Sequence, residues 1–106
     1  MVFSFLLYKK FKNQSRYKNL YLYLQKISFM PTLMISFGMR FFFYMDEHQP
    51  IHVHVDGNGK KAKVVLEPTV CLDYNHGFKE QEIKKILDTC AIYRDDFIEE
   101  WHKRFD

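Results

Sequence analysis

Alternating apolar and polar positions fill the middle of this chain, and helical spacing replaces them towards the C-terminus. Leu33, Ile35 and Phe37 alternate with Met34 and Ser36, which predicts a first strand. Phe37-Gly38 marks a tight turn. Arg40–Met45 reads as a second strand, with Phe41, Phe43 and Met45 on one face and Phe42 and Tyr44 on the other. A strand apolar on both faces is central or covered on both sides. Asp46–Pro50 is a connecting loop, and Ile51–Asp56 is the third strand.

The next turn can be tested for register. Asp56-Gly57-Asn58-Gly59 contains Asn-Gly, the strongest short hairpin signal. With Asn58-Gly59 as a two-residue loop, Gly57 faces Lys60. Val55 then faces Ala62, Val53 faces Val64 and Ile51 faces Leu66, so six apolar residues share one face. The other face pairs Asp56 with Lys61, His54 with Lys63 and His52 with Val65. A slip of one residue would scatter this pattern. The fourth strand, Lys61–Glu67, ends at Pro68. Val70–Asp73 is a short fifth strand, and Asn75-His76-Gly77 is a turn.

From Lys79 to Arg104 the spacing predicts one long helix. Ile83, Ile86, Leu87, Cys90, Ala91, Phe97, Ile98 and Trp101 make its apolar stripe. Glu80–Lys84, Glu99–Lys103 and Glu100–Arg104 are acid-first pairs four apart. Asp95-Asp96 and Glu99-Glu100 read as a solvated face. No Ser, Thr, Asp or Asn directly precedes Lys79, which leaves Gly77 as the candidate cap. The fold class is therefore α+β: a curled antiparallel sheet of four to five strands, with one long C-terminal helix packed on one face.

At 106 residues the chain is one domain. Its net charge of +3 hides two halves. Residues 1–29 hold Lys9, Lys10, Lys12, Arg16, Lys18 and Lys26 with no acidic residue, whereas residues 30–106 hold ten Lys/Arg against thirteen Asp/Glu. We read residues 1–29 as a basic, aromatic N-terminal extension that is not part of the native domain, with a short helix around 16–27, and residues 30–106 as the α+β domain. Met30-Pro31-Thr32 looks like a start. The alternative use of the head, as an arm for nucleic acid or a membrane surface, rests on its interleaved cations and aromatics. No apolar run reaches the roughly twenty residues that a spanning helix needs. Cys71 and Cys90 form no Cys-x-x-Cys pair and read as free, packed thiols in a reducing cytoplasm.

The chemistry concentrates in Glu47-His48-Gln49-Pro50-Ile51-His52-Val53-His54-Val55, which holds three of the five histidines. His52 and His54 stand on one face of a strand. With His48 they are the candidate metal ligands, with Glu47 or Asp46 as a further donor, for zinc or a similar ion. Two features weigh against metal: Lys63 lies opposite His54, and only His76 and His102 remain as distant ligands. The bland reading has both histidines half-exposed and bonded to Tyr44 or Glu47, shaping the loop. For acid/base catalysis the candidates are His48, His52, His54, Arg40, Tyr44 and Glu47, with Lys63 as a phosphate-binding cation. A histidine-triad hydrolase is disfavoured, because Asp56 stands at the third histidine's place and no glycine-rich phosphate cradle follows.

Several motifs together resemble a known family. They are Met30-Pro31-Thr32, Gly38-x-Arg40-Phe41-x-Phe43-Tyr44, the histidine stretch, Ala62-Lys63, Gly77-Phe78 and Trp101. The family is the bacterial and archaeal domain of unknown function 4160, and the resemblance covers residues 30–105. Lys79 stands where that family usually has a helix-capping Ser, and Ile51 where it commonly has a second Pro. The resemblance implies a component of a two-gene, toxin–antitoxin-like module.

The expected role is a protein-binding or toxin-like component of such a module, in the cytoplasm. Its expected partner is the product of a neighbouring gene. RNA and a homo-oligomer are left open, and no membrane is expected. An uncovered sheet face bearing Phe42, Tyr44, Met34 and Val65 beside the histidines carries that reading. The alternative is a small hydrolase or ribonuclease using the His-x-His strand. No cofactor is expected, a divalent metal such as zinc being the exception under that alternative.

Overall fold

The computed structural model describes residues 3–4 and 32–106. Its sheet runs in chain order through β1 (Phe3–Ser4), β2 (Thr32–Ser36), β3 (Met39–Phe42), β4 (His52–Gly57), β5 (Lys60–Val65) and β6 (Cys71–His76). Every neighbouring pair is antiparallel. Two helices follow, α1 (Glu80–Ile92) and α2 (Arg94–Phe105). The α+β class holds, but the sheet is not strongly curled. In the head, Phe3 pairs with Ile35 and Ser4 with Met34 at the sheet edge. The expected helix around 16–27 and the boundary at 29/30 lie outside the described residues.

The β4–β5 hairpin has the register that its alternation requires: Val53 pairs with Val64, Val55 with Ala62, His54 with Lys63 and His52 with Val65. Asn58 and Gly59 both have positive φ, 50° and 78°, as a two-residue turn of this hand demands. Beyond the strands, the Leu66 N–H donates to the Ile51 carbonyl at 2.8 Å and extends the pairing.

The helices cover the face that carries Phe41, Phe43, Val53, Val55, Ala62 and Val64, all buried with Ile86, Cys90, Phe97 and Trp101. Phe41 stacks on Phe97 at 6.3 Å between ring centroids, and Phe43 meets Trp101 edge-on at 5.4 Å. Burying the large side chains is worth about 1.5–3 kcal/mol each before entropy is set against it. This layer therefore fixes the sheet on which the histidines stand.

Three expectations about these layers are corrected. The helix is two, because the chain breaks at Tyr93, whose φ of −103° and ψ of 14° leave the helical region. Tyr93 N–H still donates to the Thr89 carbonyl and its own carbonyl accepts from Phe97 N–H, so the two helices share a residue. Second, Met34 pairs with Phe41 rather than standing beside the histidines, because a bulge between Thr32 and Met34 shifts the register. Third, β3 ends at Phe42, and Met45 is 68% exposed instead of joining Phe41 and Phe43.

The acidic face of α2 is only partly solvated. Glu100 is buried and takes a bond from Lys103 at 3.2 Å, while the expected Glu99–Lys103 pair is present at 3.5 Å. At the start of α1, Glu82 accepts the Lys79 N–H at 2.9 Å, the carboxylate half of a capping box, while the Lys79 side chain gives the helix no cap in place of Ser. Cys90 is buried as expected and Cys71 is exposed, and both are free. No helix among the described residues is long and apolar enough to cross a membrane.

Candidate functional site

The segment after β3 returns over the start of β4 and brings Glu47 back to the histidines. Glu47 Oε2 lies 2.6 Å from His52 Nε2 and 3.1 Å from His54 Nε2. The imidazoles share a sheet face because they are two apart on β4. Their rings meet edge-on, 4.9 Å between centroids. Both are buried, at 5% and 7% exposure, which corrects the half-exposed reading.

Hydrogen bonding assigns the ring protons. His52 Nδ1 lies 2.7 Å from the Pro50 carbonyl, which can only accept, so Nδ1 carries a proton and Nε2 faces Glu47. His52 Nε2 and Glu47 Oε2 then hold one proton between them. His54 donates from Nε2 to the same carboxylate, and its Nδ1 is buried with no hydrogen-bond partner. Such an orphaned lone pair is costly.

The surroundings are aromatic and cationic. The Tyr44 ring is 4.4 Å from that of His54, Phe42 is 5.7 Å from it, and Trp101 of α2 is 5.2 Å from the His52 ring. Lys63 pairs with His54 across the sheet and forms an ion pair with Asp73 at 3.3 Å. Burial pushes the Glu47 carboxyl up from its ordinary range, against the opposing pull of His52. Burial, then the charges of His52, Lys63 and Lys61, push His54 down to about 4, which keeps it neutral near pH 7.

Of the residues singled out in the sequence, His52, His54 and Glu47 converge, and Tyr44 walls the cluster. His48 does not join them: its side chain is 86% exposed and lies 4.0 Å from Asp46. Arg40 donates from Nε to Thr32 Oγ1 at 2.7 Å and lies over the Phe42 ring at 4.5 Å. Phe42 and Met34 are buried while Tyr44 and Val65 are half-exposed, so the expected apolar face beside the histidines is only partly open.

Two neighbours escape a reading of the sequence. Tyr74 pairs with Lys63 across β5–β6, and burial, then Tyr44, Asp56, Asp73 and Glu47, raise its phenol above the ordinary range. Its signal is the continuation of the fifth strand past Asp73. Helical spacing places Trp101 in the core stripe, and nothing in that spacing sets it against His52. No curated protein and no solved structure matches this chain. The resemblance carried by the histidine stretch is borne out: the family described as Domain of unknown function (DUF4160) matches residues 38–102, which hold Glu47, His52 and His54, and the chain belongs to that family.

Proposed function

We propose that this domain is a small hydrolase that cleaves RNA phosphodiesters, acting as the toxin-like component of a two-gene module. The observation that carries the reading is the buried Glu47 carboxylate bonded to two imidazoles on one strand. A solvent-facing binding surface has no use for buried, proton-sharing groups, whereas hydrolysis needs them. Lys63 stands beside the cluster, and Arg40, Asp56, Lys61 and His76 pair in one row across the same sheet. The cations among them, Lys63, Arg40 and Lys61, suit a phosphate ester.

In this reading a water oxygen bonds to phosphorus and the ester P–O bond breaks. The proton leaves the water through the Glu47–His52 pair and ends on the departing oxygen. Lys63 offsets charge that builds on the phosphoryl oxygens. The neighbouring gene's product is the proposed restraining partner, and the cytoplasm the proposed compartment.

The test is cleavage of a labelled single-stranded RNA by the purified full chain. Glu47→Gln and His52→Ala should each lower the rate at least a hundred-fold, about 2.7 kcal/mol of barrier, and His48→Ala should leave it close to wild type. No cleavage, or cleavage that survives Glu47→Gln, sinks the proposal.

A further inference from the structure

We infer that Glu47, His52 and His54 form a site for one divalent first-row metal ion of the zinc class, bound through a Glu47 carboxylate oxygen and the two Nε2 atoms. This deepens the hydrolase reading and uses the same three residues. Their ligand atoms all lie within 4.8 Å of one another. Zinc bonds of about 2.0–2.2 Å put neighbouring tetrahedral ligands roughly 3.3 Å apart. The 3.1 Å between Glu47 Oε2 and His54 Nε2 already suits that geometry. The 2.6 Å to His52 must open, and Glu47 stands between β3 and β4, outside either strand.

The orientation of His52 is the second observation. Its Nδ1–H is spent on the Pro50 carbonyl, which aims the Nε2 lone pair at the cluster. Histidines that bind metals usually give their other ring N–H to a carbonyl or carboxylate in this way. An imidazole lone pair and a carboxylate oxygen at 2.6 Å need a cation between them. A proton serves that pair, whereas a dication serves Glu47 and both histidines together, once the His54 proton has moved from Nε2 to Nδ1.

The donor set, two imidazoles and one carboxylate, is that of zinc-class catalytic centres, which keep a position open for water. Burial and the Tyr44, Phe42 and Trp101 rings reduce competition from solvent. Lys63 opposes a dication, but its ion pair with Asp73 offsets that charge. His48, expected as a ligand, is replaced by Glu47.

The test strips the full chain with a chelator and titrates it with zinc chloride, following calorimetry and thermal unfolding. We expect one ion per chain and a melting temperature that rises with zinc concentration. Cobalt(II) in place of zinc should give the visible absorption of a low-coordinate site. Glu47→Gln and His52→Ala should each weaken binding at least ten-fold, with His48→Ala and His102→Ala unchanged. Where His52→Ala fails to fold, Glu47→Gln decides, since it keeps the side chain's shape. Absence of saturable binding overturns the inference, as does binding that survives Glu47→Gln or is lost in His48→Ala. Zinc bound without RNA cleavage removes the hydrolase reading and leaves the metal site standing. Cleavage by chelated protein that takes up no ion does the reverse.

Discussion

Arg94 donates from Nε to the Leu66 carbonyl at 2.7 Å, and this bond ties the break between the helices to the segment that follows β5. A second guanidinium nitrogen reaches the Pro68 carbonyl at 3.3 Å. Arg94→Ala leaves the carbonyl of buried Leu66 without this donor. We expect a loss of about 1.5–3 kcal/mol, the usual range for a hydrogen bond to a charged group. Urea unfolding checks it, and Arg94→Lys should recover only part of the loss, because one ammonium cannot match the planar fork.

Val53 is wholly buried opposite Val64 beneath the helices. Val53→Asp forces a carboxylate into that layer with no partner, at a cost of several kcal/mol even after it takes up a proton. Against a total stability of about 5–15 kcal/mol this should abolish most of the cooperative thermal transition. Retention of a wild-type melting temperature would show that the hairpin faces have been assigned the wrong way round.

Gly59 sits at φ 78°, and the space that a methyl would fill there is open, so a substitution meets backbone strain and no clash. Gly59→Ala should cost about 1–2 kcal/mol, the penalty of a left-handed L-residue. The loss should appear in denaturant midpoint with an unchanged slope, since the hairpin register itself survives.

The two thiols should behave differently. Cys71 is exposed, whereas burial pushes the Cys90 thiol up to about 12. An aromatic disulfide reagent at pH 8 should titrate one thiol quickly and the second only after unfolding. The linkage has a definite sign. Unfolded Cys90 ionises near its ordinary value and the folded thiol does not, so its contribution is intact below about pH 8.5. It is lost as the pH rises towards 12. Cys90→Ala should therefore flatten the alkaline fall in melting temperature relative to wild type.

How far the fold and site are legible in the sequence depends on which residues set them. Asn58-Gly59 determines the hairpin, because its turn geometry leaves a single register that keeps Val53, Val55, Ala62 and Val64 on one face. The helix break is hidden, because Cys90 and Phe97 are seven apart and the apolar stripe keeps its phase across Tyr93. Met34 is misplaced by simple alternation because a bulge changes side-chain direction without changing composition. At the site, the alternation of β4 puts His52 and His54 together. The return of Glu47 depends on the path of an irregular segment, which period-two reasoning does not reach. Tyr74 is hidden in the same way, by a register shift between Lys63 and Val64.

Trp101 is the chain's one tryptophan, and its ring lies 5.2 Å from that of His52. The protein thus carries its own optical reporter. An imidazolium, or a paramagnetic ion held beside that indole, drains its excited state. Emission from Trp101 therefore registers events at the cluster directly, with no attached label, and its intensity can be followed on the timescale of mixing rather than of unfolding.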